Sequence, residues 1–233
     1  DIRRKLEEFK KTGKFVVSYS NVLTQKDYYL NSVADTIYMN PVGELDFKGL
    51  SAEILFFKDF QEKSGIKMEV IRHGKYKSAV EPFLENQMSP ANREQMSVLL
   101  NSIWSSVVAD ISKSRNISVD SLNSIANSLG ARTPELAKQK HLIDKIAYED
   151  EYHNGIKKAL KLPKDEDYKT ISISDYAKNN ALKVPVSEDA IAVVYAQGII
   201  WGGEGDETYI GEQSLKRALG GIRKDDKIKA VVL

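Results

Sequence analysis

Phe15-Val16-Val17-Ser18-Tyr19, a short helical pattern near 27–34 and then Thr36-Ile37-Tyr38-Met39 set the fold class of this chain. Apolar strand, helix and apolar strand in quick succession imply an α/β layer. Asn40-Pro41 is expected to close the second strand, because proline has no N–H to give to a ladder. Upstream, Ile2, Leu6 and Phe9 mark a helix over 1–12. Downstream, a helix over 51–63 leads to Ile66-Lys67-Met68-Glu69-Val70, whose apolar and charged residues alternate as in a strand. Gly74 breaks that strand, which puts Lys77 at a strand-to-helix junction, a common place for chemistry.

A helical block follows. Ser89-Pro90 supplies an N-cap and an N1 proline, and Leu100, Ile103, Trp104, Val107, Val108 and Ile111 form a wide apolar face beyond them. Ser118 opens a second helix with Leu122, Ile125, Ala126 and Leu129, stopped by Gly130, and Thr133-Pro134 opens a third. Residues 163–189 are polar, hold Pro163 and Pro185, and contain one strand-like piece, Tyr168–Ile173, so they read as a connecting segment. A new element begins at Ala190-Ile191-Ala192-Val193-Val194-Tyr195, a continuous apolar run of the kind buried on both faces of a sheet. A glycine-rich loop (Gly202, Gly203, Gly205, Gly211), a helix with Leu215, Leu219 and Ile222, and a strand at 228–233 complete a β-loop-α-β opening. The first residues lie inside a helical pattern and the last inside a strand, so the chain reads as part of a longer protein.

Composition narrows the function classes. The 233 residues are 42% hydrophobic, enough for a real core. With 34 Lys+Arg against 33 Asp+Glu, and the cations scattered, nothing points to a nucleic-acid partner. The absence of cysteine excludes disulfides and thiolate metal sites. No apolar run approaches the ~20 residues that span a bilayer. His73, His141 and His153 are far apart and match no metal-ligand spacing, so neither a metal nor a cofactor site is expected. No G-x-S-x-G elbow is present.

Ser64-Gly65-Ile66-Lys67 has the S-x-x-K spacing in which one helical turn sets a lysine against a serine, but Gly65 argues for a turn instead. The glycines from Gly198 onward match neither nucleotide-loop spacing and read as serving turns and close packing. Lys77, in Gly74-Lys75-Tyr76-Lys77-Ser78-Ala79-Val80-Glu81-Pro82-Phe83, is the candidate catalytic residue. A lysine acting as a base must be neutral. Moving its pKa from about 10.4 to near 7 takes about 4 to 5 kcal/mol of burial and neighbouring interactions. Tyr76, Ala79, Val80, Pro82 and Phe83 are the apolar flanks that would supply such a wall.

Tyr76–Phe83, followed by Met88-Ser89-Pro90, resembles the lysine segment of the bacterial signal peptide peptidase A family, long form, also called protease IV. Tyr28-Tyr29-Leu30, Ala34-Asp35, Asn40-Pro41 with Gly43, His141-Leu142-Ile143-Asp144, and Ile191–Tyr195 through Ala230–Leu233 agree with it, so the resemblance runs along essentially the whole chain. It implies an α/β fold of tandem Clp protease/crotonase-like modules. Residues 1–162 would be the later part of a first module, with a helical subdomain over about 89–162. Residues 163–189 would connect it to the beginning of a second module at 190–233.

The resemblance also implies a serine–lysine dyad. Lys77 would be the general base and then the proton donor to the leaving amine, and the serine and the oxyanion-binding glycines would lie beyond Leu233. In Ser18–Tyr29, Gln25 falls where a nucleophile would stand, with Lys26-Asp27 in place of glycines. An amide does not attack a peptide bond, so the first module would be silent apart from Lys77. The implied setting is a bacterial cell membrane, with the catalytic part extracytoplasmic and the anchor outside this chain. The implied partners are released signal peptides as substrates and further copies of the chain. Two other readings stay open: a crotonase-type enzyme acting on acyl-coenzyme A, and a non-catalytic oligomerisation module. Residues 1–233 alone are expected to be inactive.

Overall fold

Val17 pairs with Thr36, and the ladder runs on in parallel to Ser20 and Met39. The computed structural model describes residues 1–71, 73–163, 165–180 and 187–233, and divides into two units, Asp1–Tyr168 and Lys169–Leu233. Pro185 lies outside the described residues.

In the first unit, helix α1 (Ile2–Lys11) leads into β1 (Val17–Leu23), α2 (Gln25–Asn31) and β2 (Thr36–Leu45). Parallel neighbours need a crossover between them, which is the role of α2. Thr24 caps that helix through a reciprocal pair: its hydroxyl accepts from the Asp27 N–H while Asp27 accepts from the Thr24 N–H. β1 starts later than the sequence suggests because the Val16 backbone is taken by Asp35, whose carboxylate accepts from its N–H at 2.8 Å. β2 does not close at Asn40-Pro41. It runs on to Leu45, and the register shifts between Ser20 and Val22, so Pro41 falls in a stretch where the ladder is already interrupted. Gly43 permits this, since a Cβ there would lie 2.6 Å from the Asn21 carbonyl oxygen.

After β2 come α3 (Lys58–Ser64), α4 (Glu81–Leu84), α5 (Pro90–Arg115), α6 (Val119–Ser128), α7 (Pro134–Gln139), β3 (Lys145–Ile146) and α8 (Glu149–Ala159). β3 joins the far side of β2 in parallel, giving the order β1-β2-β3. Ser89, Ser118 and Thr133 cap α5, α6 and α7 as their sequence positions predict. The stop of α6 falls one residue early, with Leu129 rather than Gly130 in the left-handed conformation.

The core lies between the sheet and these helices. Leu23, Ile37, Met39 and Leu45 meet Val108 and Ile111 of α5, Leu122 and Ile125 of α6, and Leu142 and Ile143. Each such side chain contributes about 1.5–3 kcal/mol on burial. From α5, Trp104 and Val107 also pack against this core, whereas Ile103, expected on the apolar face, is 46% exposed. Buried polar groups fasten the layers. Arg3 donates to the Tyr29 carbonyl, Ser32, the Asp110 carbonyl and Ser114, tying α1 to α2 and α5. Arg115 grips Asp144 with both terminal nitrogens, and Asp144 accepts from the Ile37 N–H at 2.7 Å. The Tyr28 hydroxyl donates to the Leu142 carbonyl, and burial holds its phenol well above the usual tyrosine range.

Two sequence expectations fail between β2 and α4. The helix over 51–63 is only Lys58–Ser64, and Ile66–Val70 is not a strand. Ile66 is 63% and Met68 43% exposed, so the alternating apolar residues find no sheet to join.

In the second unit, β4 (Ala190–Val193) pairs in parallel with β7 (Ile228–Val232), and β5 (Ile199–Trp201) with β6 (Tyr209–Gly211), which runs into α10 (Glu212–Ile222). Tyr168–Ile173 is not a strand. Ser172 instead accepts from the Asp175 N–H and caps α9 (Ile173–Asn179), a local S-x-x-D signal that outweighs the β-branched composition. β4 is not buried on both faces: Ile191 is 67% and Val193 52% exposed, because among the described residues its sheet has two strands. Of the loop glycines, Gly205 and Gly211 serve close backbone approach, since a Cβ on Gly205 would lie 2.3 Å from the Gly211 nitrogen, while Gly203 holds φ at 88°.

Candidate functional site

Lys77 sits on a turn. Gly74, at φ 111°, reverses the chain, the Lys77 N–H reaches back to the Gly74 carbonyl at 3.4 Å, and the Glu81 N–H donates to Ser78 as α4 begins. Among the described residues of 66–76 there is no strand, so the expected strand-to-helix junction is a loop-to-helix junction. The Lys77 side chain is exposed and lines a cleft of about 540 Å³ with Tyr76, Ser78, His73 and Gln95.

The apolar wall anticipated around Lys77 is only partly present. Tyr76 is 49% exposed, Ala79 is exposed, and Phe83 stacks on Phe57 of the segment before α3 at 5.8 Å between centroids. The neighbouring Lys75 has its ammonium over the Tyr76 ring, and the Tyr76 hydroxyl holds its pKa above the usual lysine value. Ser64 and Lys67 do not share a helical turn, because Gly65 ends α3 in the left-handed region between them.

Gln25 has a different environment. It is the first residue of α2, at the C-terminal end of β1, and its amide oxygen accepts from both the Lys48 N–H (3.0 Å) and the Gly49 N–H (2.8 Å). Its amide nitrogen donates to the Gly49 carbonyl at 2.8 Å. Two backbone N–H groups converging on one oxygen resemble an oxyanion site. Here the oxygen is the chain's own, and the link ties α2 to the segment after β2. Gly49 suits the role because it holds φ at 84°, which favours glycine. The hollow beside it, about 390 Å³, is lined by Thr24, Asp46, Phe47, Lys48 and Arg132. Nothing in the local sequence around Gln25 signals partners more than twenty positions away.

The histidines keep separate places. His73 borders the Lys77 cleft, the His141 carbonyl accepts from Arg115, and His153 contacts Tyr168. Among the described residues no group of three or more His, Cys, Asp or Glu side chains is placed to hold a metal ion.

The first unit is a parallel α/β sheet on which the exposed lysine loop and the strand-end crevice are separate features, and comparison with known proteins places the chain more closely. The sequence pattern of peptidase family S49 matches residues 7–163. This chain belongs to that family. It is 33% identical to "Protease 4" of Salmonella typhi over 241 residues, covering 100% of this chain and 38% of that protein. It is 32% identical to "Protease 4" of Haemophilus influenzae over 237 residues, covering 98% and 38%. With "Serine protease SPPA, chloroplastic" of Arabidopsis thaliana the identity is 30% over 240 residues, covering 100% and 35%. The chain thus spans 35–38% of the length of these relatives.

Proposed function

We propose that this chain carries the base of a Ser-Lys serine peptidase, with Lys77 as the general base. The observation that carries the reading is the likeness to Protease 4 and SPPA along the whole chain, in which Lys77 occupies an accessible turn on a cleft. In the reaction, neutral Lys77 Nζ takes the proton from a serine hydroxyl as its oxygen attacks the scissile carbonyl carbon. The resulting ammonium then gives that proton to the amide nitrogen as the C–N bond breaks. The serine and the oxyanion donors come from protein outside residues 1–233, and the same region completes the burial of Lys77. Residues 1–162 form the later part of a Clp protease/crotonase-type module and 190–233 the start of a second.

The substrates are signal peptides already released from their precursors. The protein works as a homo-oligomer on the extracytoplasmic face of a bacterial membrane, held there by a segment outside this chain. Among the described residues, no helix is long and apolar enough to cross a membrane. The test is peptide hydrolysis by the intact protein. Lys77→Ala lowers kcat by about a thousandfold or more, as loss of an essential base does, while the far-UV circular dichroism is unchanged. Hydrolysis retained within about tenfold by a correctly folded Lys77→Ala protein contradicts the assignment.

A further inference from the structure

The turn that carries Lys77 has little regular structure, so something must hold it. Four residues on, at the first position of α4, Glu81 is 3% exposed. A carboxylate removed from water is costly unless its oxygens are satisfied. At Glu81 they are met by the start of α5: the Ser89 N–H donates at 3.3 Å, the Ser89 hydroxyl donates to the other oxygen, and the Asn92 side-chain amide donates at 2.9 Å. Ser89 is shared, since its hydroxyl also accepts from the Asn92 N–H as the N-cap of α5. Asn92 is itself 4% exposed.

The receiving helix is the longest element of the first unit, Pro90–Arg115, and its N-terminus presents backbone N–H groups and positive partial charge to the carboxylate. Its far half is core, through Val108 and Ile111. The contact therefore links a solvent-facing turn to a helix whose far half is anchored in the core. The next two residues are fastened differently: Pro82 accepts from the Phe57 N–H and Phe83 from the Gln61 amide, both on the α3 side. These bonds use backbone carbonyls and put no charge in the interior.

We propose that Glu81 is the positioning residue for Lys77: its buried carboxylate pins the lysine-bearing turn to the N-terminus of α5 and sets where the amine lies relative to the reacting serine. This rests on the reading of Lys77 as the base. Without the pin, the turn loses its tie to α5 while keeping its Phe57 and Gln61 attachments on the α3 side, and the amine samples positions out of reach of the hydroxyl. A displacement of about 1 Å costs on the order of 100-fold in rate.

The experiment uses the intact protein with a peptide substrate, kcat being expressed per folded molecule. Glu81→Ala lowers kcat by about 30- to 100-fold and leaves KM within about twofold, because substrate binding does not require the base. Glu81→Gln keeps the side-chain length and one accepting oxygen, and recovers kcat to within about tenfold of the parent. Asn92→Ala removes one donor only and lowers kcat about three- to tenfold at constant KM, which keeps the test decisive if Glu81→Ala does not fold. Unchanged kcat in either alanine variant overturns the proposal, as does a loss confined to KM. Lys77→Ala separates the two readings: if it is inactive while Glu81→Ala is fully active, only the positioning role falls. If Lys77→Ala is active, the dyad itself falls.

Discussion

Gln25 and Lys77 are both polar residues beside hollows, and they differ in what holds them. Gln25 makes three hydrogen bonds to the Lys48–Gly49 backbone at the end of a parallel sheet, through both its amide oxygen and its amide nitrogen. Lys77 projects from a turn, and the described residues before it, 66–71 and 73–76, form no helix or strand. The position that resembles a nucleophile has become part of the scaffold, and the position that resembles a base has been left accessible. Stability and chemistry thus load different parts of this chain, in line with the general finding that reactive groups sit on less regular segments positioned by a rigid frame.

The largest contrast should appear in amide hydrogen exchange of the chain as it stands. The Ile37 and Met39 amides, in the central strand, are expected to exchange at least about a thousandfold more slowly than those of 66–71 and 73–79. Equal protection in both regions would break the comparison. Next in size is stability. Gln25→Ala removes the acceptor of the Lys48 and Gly49 N–H groups and should cost about 1 kcal/mol in urea unfolding. Lys77→Ala, at an exposed position, should stay within about 0.5 kcal/mol of the parent. A larger loss at Lys77 than at Gln25 would reverse the roles assigned here.

The smallest effect concerns Asp35. Partial burial pushes its carboxyl up, but the Lys10 ammonium and the Val16 N–H outweigh this and hold its pKa below the usual aspartate value. A depressed folded pKa means stability that is fully present above the unfolded value of about 3.9 and is lost as pH falls through the lower folded value. Because the side chain is 41% exposed, solvent screening limits the gain to a few tenths of a kcal/mol. Asp35→Asn should therefore be slightly less stable than the parent at pH 7, with the gap closing below about pH 3.9; a gap that widens on acidification would show that Asp35 is not stabilised as the anion.

What the sequence made readable follows the range of the interactions. Ser89-Pro90, Ser118 and Thr133-Pro134 mark helix starts correctly because a cap needs only its next three residues. The α/β alternation from Val17 to Met39 is visible for the same reason. β2 passes beyond Pro41 because its register shifts against β1, a fact about two strands rather than one. Ile66–Val70 has a strand's alternation but no neighbouring strand, so periodicity misleads there. Lys77 stands out through resemblance and not through local pattern. Neither the burial of Glu81 nor the partners of Gln25 could be read, since each depends on contacts that only the folded chain brings together.

The most direct test of the account is labelling of the intact protein by a serine-reactive fluorophosphonate probe, comparing the parent with Lys77→Ala and Gln25→Ala. The account predicts labelling of the parent and of Gln25→Ala at comparable rates, with labelling of Lys77→Ala abolished. Undiminished labelling of Lys77→Ala, or loss of labelling in a folded Gln25→Ala protein, would contradict it.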